Sequence, residues 1–331
     1  EIGSGLVGSE MCIRDSDISL RRQPKHKAIP MRYSVIIPVY NRPDEVDELL
    51  QSLTQQSFKD FEVIVVEDGS SIPCKPVTEK YQELLDVHYY DKPNSGPGQT
   101  RNYGAERSKG EYLIILDSDC ILPEGYFLAV EEELQHEAAD AFGGPDRAHE
   151  SFTNIQKAIN YSMTSFFTTG GIRGGKKKMD KFYPRSFNMG VRQEVYQALG
   201  GFSRMRFGED IDFSIRIFKG GYTCRLFPGA WVYHKRRTDF RKFFKQVHNS
   251  GIARINLYKK YPESLKLVHL LPAAFTLGVA IFLLGTPFCP YSLLPIALYA
   301  LLVCMDSTIR NRSLSIGLYS CLLYTSDAAD E

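Results

Sequence analysis

Between Tyr33 and Gly144 the chain repeats one pattern: a short apolar run, a polar turn, then a stretch with helical spacing. "YSVIIPVY", "FEVIVVEDGS" and "EYLIILDSD" carry runs too uniformly apolar to leave a solvent face, which predicts strands covered on both sides. "PDEVDELLQSLTQQ" sets Val46, Leu49, Leu50 and Leu53 at helical spacing, with Asp44 and Glu45 favouring the N-terminal end of the dipole. "VTEKYQELL", "GQTRNYGAERS" and "PEGYFLAVEEELQ" read as further helices, the last opened by Pro123, and "VHYYD" and "DAFGG" as short strands. Such alternation predicts an α/β fold, a mostly parallel sheet wound in the Rossmann manner. In such a sheet ligands bind beyond the C-terminal ends of the strands, where "PVYN", "EDGS" and "DSD" fall. No GxGxxG follows the first strand and no GxxxxGK[ST] occurs, which argues against a dinucleotide-dependent dehydrogenase and a P-loop NTPase.

The two ends stand apart from this pattern. "MCIRD" and "CLLYT" are encoded by one short DNA element read in opposite orientations, and residues 1–16 and 321–331 resemble translated sequencing-adapter DNA. They are expected to lie outside any fold, with Met31 as the natural start. Without them Lys+Arg falls from 40 to 39 and Asp+Glu from 39 to 33, so the formal net charge rises from +1 to about +6. That modest, clustered excess suits a membrane surface or an anionic ligand better than nucleic acid. Cys74, Cys120, Cys224, Cys289 and Cys304 contain no CxxC pair and read as reduced structural thiols facing a cytosol.

Past Glu150 the pattern loosens. "TTGGIRGGKKK" (168–178) has the composition of a mobile surface loop or of a lid over a phosphate. "GEDIDFSIRIFKGGY" is an acid-headed helix, "AWVYHKRR" follows, and "DFRKFFKQVHNSG" is a basic amphipathic helix. Leu267–Gly285 is then 19 residues without Asp, Glu, Lys or Arg, and Tyr291–Met305 is a second apolar run. Their length and basic flanks (Lys259, Lys260 and Lys266 before, Arg310 and Arg312 after) read as a membrane hairpin with both ends cytoplasmic; two buried core helices are the alternative. A third apolar segment begins at Leu314. The expected organisation is a non-domain segment at 1–30, a catalytic domain at 31–260, a membrane region at 261–320 and a terminal segment at 321–331.

Two acids at i and i+2 beyond a strand, Asp117 and Asp119, suit Mg²⁺ or Mn²⁺ held with substrate phosphates, and equally suit a turn that caps a helix. Taken with "PVYN", "EDGS", "GPGQTRN" and "GEDID", in that order, they resemble a family 2 glycosyltransferase of the GT-A fold, over roughly Tyr33 to Gly251. The resemblance implies a nucleotide-diphosphate sugar donor. Pro38 and Tyr40 would line the base pocket, Asp68 would accept from the base, and Glu67 stands where many relatives carry Asp. Arg101 would lie near base and phosphates, Asp117 and Ser118 would meet the ribose, and Asp119 would hold the metal. Of the "ED" pair, Asp210 would be the general base and Glu209 would contact the acceptor or the helix, with Asp212 as rival base. His234 would complete the metal site, or is a structural histidine. Lys235, Arg236 and Arg237 would assist the diphosphate or face lipid headgroups.

The expected protein is an inverting, metal-dependent hexosyltransferase of cell-envelope polysaccharide synthesis, anchored in the inner membrane with its catalytic domain cytoplasmic. Its acceptor would be lipid-linked or a polysaccharide precursor, with no nucleic-acid partner. The chain lacks the QxxRW of processive polysaccharide synthases, its only tryptophan being Trp231, so transfer of a single sugar is favoured. A processive synthase and a catalytically silent nucleotide-sugar-binding module are the alternatives.

Overall fold

A computed structural model describes residues 33–147, 149, 152–169, 182–235 and 240–323. The ends at 1–32 and 324–331, the "GGIRGGKKK" stretch and Arg236–Arg237 fall outside the described residues.

The chain runs β1 (Tyr33–Val39), α1 (Pro43–Thr54), β2 (Phe61–Asp68), α2 (Lys75–Glu79), β3 (Asp86–Lys92), α3 (Pro97–Ala105) and β4 (Tyr112–Leu116). It continues through β5 (Cys120–Ile121), α4 (Tyr126–His136), β6 (Ala141–Gly143), β7 (Asp146–Arg147), α5 (Asn154–Thr164) and α6 (Phe166–Thr169). Then come β8 (Asn188–Arg192), α7 (Gln193–Ala198), α8 (Glu209–Lys219), β9 (Cys224–Leu226), β10 (Val232–His234) and α9 (Phe240–Lys260). The C-terminal helices are α10 (Leu271–Gly285), α11 (Leu294–Asn311) and α12 (Leu314–Leu323).

Seven strands form one sheet in the order β3-β2-β1-β4-β8-β6-β9. The pairs β3-β2, β2-β1, β1-β4 and β6-β9 are parallel, and β8 runs antiparallel between β4 and β6. This is the mostly parallel sheet that the apolar runs predict. Alternate residues feed opposite faces. Tyr33, Val35, Ile37 and Val39 join the core beneath α1 and α4, while Ile36, Leu113 and Ile115 pack with Ala105, Val195 and Phe213 of α3, α7 and α8. Gly104 brings α3 close to this sheet: a Cβ there would sit 2.7 Å from Ile36 Cγ2.

A second, three-stranded sheet, β5-β10-β7, lies beyond the end of β4. In it Cys120 pairs with His234, so backbone pairing sets the late histidine beside the "DSD" turn.

Several elements depart from their sequence readings. α2 covers only the first residues of its apolar-periodic stretch and passes into turns by Lys80, and α4 starts at Tyr126, three residues after Pro123. At the C-terminus the order of the two apolar helices reverses. α10 is the shorter, at 15 residues, whereas the segment Pro290–Asn311, 22 residues, is the one helix among the described residues long and apolar enough to cross a membrane. The second run gains its length because the helix continues through Asp306, whose carboxylate pairs with Arg310 at 2.8 Å and accepts from Tyr161 of α5 at 2.6 Å. α12 extends three residues past Ser320, and its Leu323 packs with Ile159 and Met163.

Candidate active site

The C-terminal ends of β1, β2 and β4, the start of α3, the head of α8 and one face of α9 enclose an open cleft of about 1360 Å³. Pro38, Tyr40, Asp68, Arg101, Asp117, Ser118, Asp119, Glu209 and Asp210 all line it. Residues that the sequence scatters from 38 to 210 therefore share one cavity.

At the β1 end, Tyr40 stands with 54% of its surface exposed. Asn41 follows in the left-handed region (φ 54°), its side-chain oxygen accepting from the backbone of Ser71 at 2.8 Å and of Ile72 at 3.0 Å. Asparagine suits this conformation because its short amide bonds locally. The turns after β1 and β2 are thereby tied together.

Asp68 and Glu67 part company at the end of β2. Asp68 accepts from the backbone of Ser95 and Gly96, each at 2.9 Å, and from Lys92 Nζ. Burial acts most strongly on its pKa and raises it, but Lys92 and the Ser95 amide outweigh burial and hold it below the usual carboxylate value. Glu67 accepts from the Cys74 backbone at 2.7 Å and from the Ser70 hydroxyl, and it does not line the cleft. It braces the loop after β2, which explains why the longer acid fits where the resemblance leads one to expect Asp.

The two "DSD" acids diverge. Asp117 accepts from Arg101 at 2.7 Å, and Arg101 also donates to Glu209 at 2.9 Å. Arg101 is 3% exposed and lies over the Phe202 ring, so it is a buried bridge between the acids of β4 and α8. Glu209 is drawn in opposite directions: burial, then the adjacent Asp210, raise its pKa, and Arg101 only partly offsets them. Asn102 reinforces the bridge, donating to Phe202 O at 2.9 Å and accepting from the Tyr196 hydroxyl at 2.6 Å. "QTRN" is thus a clasp on the loop that leads to α8.

Asp119 instead meets Arg42 Nη1 at 2.6 Å and His234 Nε2 at 3.3 Å. Two ligands about 2.1 Å from one ion, at roughly 90–110° to each other, lie about 3.0–3.4 Å apart. The carboxylate and imidazole therefore fit a shared divalent cation by spacing and by donor type. Cys120 also lies within 4.8 Å of this pair; burial pushes its thiol well above its usual pKa, and its Sγ donates to Phe187 O at 3.4 Å. The Phe187 ring stacks on His234 at 4.7 Å and fixes the imidazole plane.

On α8 the three acids have three environments. Gly208, left-handed at φ 80°, turns the chain into the helix. Asp210 lines the cleft, its Oδ1 accepting from the Ile211 amide at 2.8 Å and its Oδ2 facing Arg185 Nε at 3.0 Å. Asp212 is fully buried away from the cleft, accepting from Arg216 at 3.0 Å, Lys260 at 2.5 Å and the Tyr261 hydroxyl at 3.0 Å. Those contacts make Asp212 an anchor between α8 and the end of α9.

Sequence reasoning missed Arg42, Arg185 and the cleft face of α9. Arg42 directly follows "PVYN", a positional signal that was available. Arg185, in a loosely patterned segment, carried none.

Residues 34–200 match the profile of glycosyl transferase family 2, and the chain belongs to that family. It is 30% identical over 193 residues to an uncharacterized glycosyltransferase of Haemophilus influenzae, covering 56% of this chain and 62% of that protein. Its matches span smaller shares, 23% and 13%, of two Rickettsia glycosyltransferases. Among solved structures it shares the GT-A fold with a mannosyltransferase from Pyrobaculum calidifontis in complex with GDP-Man and Mn²⁺. The TM-score is 0.65 at 16% identity, covering 90% of this chain and 88% of that one. Staphylococcus aureus TarS 1–349 in complex with UDP-GlcNAc gives a TM-score of 0.50 at 19% identity, covering 89% of this chain and 91% of that one.

Proposed function

We propose that the protein is an inverting, metal-dependent glycosyltransferase. It moves a single sugar from a nucleotide-diphosphate sugar to a hydroxyl of a lipid-linked or polysaccharide-precursor acceptor. One observation carries the reading: Asp119, which faces His234 at a spacing that suits a shared divalent cation, and the oriented carboxylate Asp210 both line the same cleft. The Mn²⁺ and sugar nucleotides held by the structural neighbours agree with such a donor.

Tyr40 stacks on the base beside Pro38, and Asp68, with the backbone of Ser95 and Gly96, shapes the pocket floor. Asp117 and Ser118 meet the ribose. Asp119 and His234 would hold a divalent ion, which would supply positive charge to offset that on the departing diphosphate. Asp210 takes the proton of the acceptor hydroxyl as that oxygen bonds to C1 and the bond from C1 to the diphosphate breaks, inverting the anomeric centre. The Ile211 amide and Arg185 orient its carboxylate for this. Arg101 holds Glu209 beside it, so Glu209 is a positioning residue. The apolar segment Pro290–Asn311 would be the anchor, and the basic flanks of the apolar tail favour a cytoplasmic catalytic domain.

A thermal-shift screen of nucleotide-diphosphate sugars with Mg²⁺ or Mn²⁺ tests the reading. A donor at 100 times its Kd stabilises the native state by about 2.7 kcal/mol. Absence of a shift with every donor overturns it. Asp210→Asn is expected to lower turnover by roughly 10²–10⁴-fold while the donor-induced shift persists, and unchanged turnover would remove Asp210 as base.

A further inference from the structure

The cleft lies at the C-terminal ends of the strands; a second cluster of ligand-type side chains lies at their N-terminal ends. Ser34, Glu62 and Asp86 stand level near the starts of β1, β2 and β3, Ser34 pairing with Glu62 and Glu62 with Asp86 in the parallel register. Residues paired across parallel strands share a face of the sheet, and so does the residue two further along a strand, so His88 joins them beside Asp86. None of the four lines the cleft.

Glu62 is 0% exposed. Its Oε1 accepts from the Ser34 hydroxyl at 2.7 Å and from the Lys109 amide at 2.8 Å, which holds the carboxylate in place. Its Oε2 is buried as well and accepts no hydrogen bond. Buried carboxylates are ordinarily paired with a cation or bound to a metal. Among the described residues the only basic side chain at ion-pair distance is His88, whose Nε2 lies 3.7 Å from Glu62 Oε2 and 3.1 Å from Asp86 Oδ1 and hydrogen-bonds to neither. Two carboxylate oxygens and an imidazole nitrogen thus lie within 4.8 Å of one another. The 3.1 Å spacing is that of two ligands on one ion. The 3.7 Å spacing exceeds the range of roughly 3.0–3.4 Å by a few tenths, which a small rotation of the part-exposed imidazole covers.

We propose that Glu62, Asp86 and His88 form a structural Zn²⁺ site, separate from Asp119 and His234. Two carboxylates and a neutral imidazole bring two negative charges, which a dication cancels, and the imidazole nitrogen favours Zn²⁺ over Mg²⁺ or Ca²⁺. The side chains of Asp86 and His88 are 50% and 35% exposed, so the ion enters from solvent and water completes a tetrahedral set. Bound there, the ion fastens β3, the edge strand of the main sheet, to β2. Through Glu62 it also reaches Ser34 of β1 and the turn that leads into β4.

The test uses the full chain in neutral-detergent micelles, stripped with EDTA and carrying Asp119→Ala so that the pair in the cleft takes up no zinc. Zinc uptake is measured by equilibrium dialysis and its effect by melting temperature, with Mg²⁺ as the comparison. One Zn²⁺ bound at the sheet edge is expected, with a rise in melting temperature that Mg²⁺ does not give. His88→Arg decides between a metal ligand and a charge partner, because arginine still offers Glu62 a cation but coordinates nothing. Added to Asp119→Ala, it is expected to fold, to weaken zinc binding about 100-fold or more and to abolish the zinc-induced rise. Asp86→Asn, a change at a half-exposed side chain, is expected to weaken zinc binding about tenfold or more. A histidine that merely pairs with Glu62 predicts either no zinc uptake by the Asp119→Ala chain or uptake that His88→Arg leaves unchanged, and either result overturns the proposal. Zinc uptake unchanged by Asp86→Asn overturns the three-residue site, and a rise with Mg²⁺ equal to that with Zn²⁺ overturns the assignment to zinc.

Discussion

Asp210 and Asp212 stand two residues apart on α8 and do different work because of what faces them. Asp210 borders the cleft; Asp212 sits fully buried among Arg216, Lys260 and Tyr261. Burial alone would raise the Asp212 pKa, but Lys260, Ser203 and Arg216 outweigh it and lower it, and Lys260 is raised by the same contact. Its stabilising contribution is therefore complete above the unfolded carboxylate pKa of about 3.9 and is lost as pH falls through the lower folded value. Asp212→Asn is expected to cost about 3 kcal/mol at neutral pH and to keep turnover per folded molecule. Melting curves at neutral and acid pH check it: the gap between variant and parent should close below about pH 4. Asp119→Ala is expected to abolish the metal-dependent part of the donor-induced shift, and an undiminished metal effect would remove Asp119 as ligand. Most of the candidate residues were legible from short motifs at strand ends, because few residue types can end a buried strand in a polar turn. Which of two neighbouring acids faces the cleft was not, since that depends on partners far away in sequence, such as Lys260.

At the scale of elements, the small sheet does what no single motif announces. Pairing of β5 with β10 sets His234 against Cys120 and hence beside Asp119. The connection depends on close backbone packing: a Cβ on Gly144 would lie 1.7 Å from Ala230 O, whose other neighbour is the Asn188 amide at 2.7 Å. Gly144→Ala is therefore expected to destabilise by more than about 2 kcal/mol, because a backbone atom cannot move aside as a flexible side chain would. Gly125→Ala, with nothing within 4 Å, is expected to change stability by less than about 0.5 kcal/mol. Thermal melts of the two variants side by side decide the matter. The strands of the main sheet were readable because uniform apolarity over such short runs has one explanation. β5, β7 and β10 were not, being two or three residues long and held by pairing rather than by propensity.

Over the whole molecule, a catalytic sheet is followed by helices whose apolar side chains remain outside: Leu284, Phe288 and Ile309 are 72–91% exposed. Leu298→Arg together with Leu301→Arg would place two charges midway along Pro290–Asn311, each costing about 2.5–3.5 kcal/mol in a membrane centre. The unmutated chain is expected to stay in the membrane pellet after an alkaline wash and the variant to leave it; a parent chain released by the wash would refute the anchor. The basic helix teaches the complementary lesson. Clustered basic charge suits a membrane surface or an anionic ligand, and the fold turns Lys242, Lys245 and Arg254 toward the cleft and leaves Phe244 and Ile255 exposed. By itself the sequence determined the α/β class, the sheet edge that carries the site and the apolar tail, because hydrophobic periodicity and strand-end chemistry act over a few neighbouring residues. Only the tertiary structure decided that Arg101 is a buried bridge, that Glu67 accepts from the loop after β2, that Asp212 ties α8 to the end of α9, and that α9 forms a wall of the cleft. Those roles are set by contacts between segments distant in sequence, which local pattern does not encode.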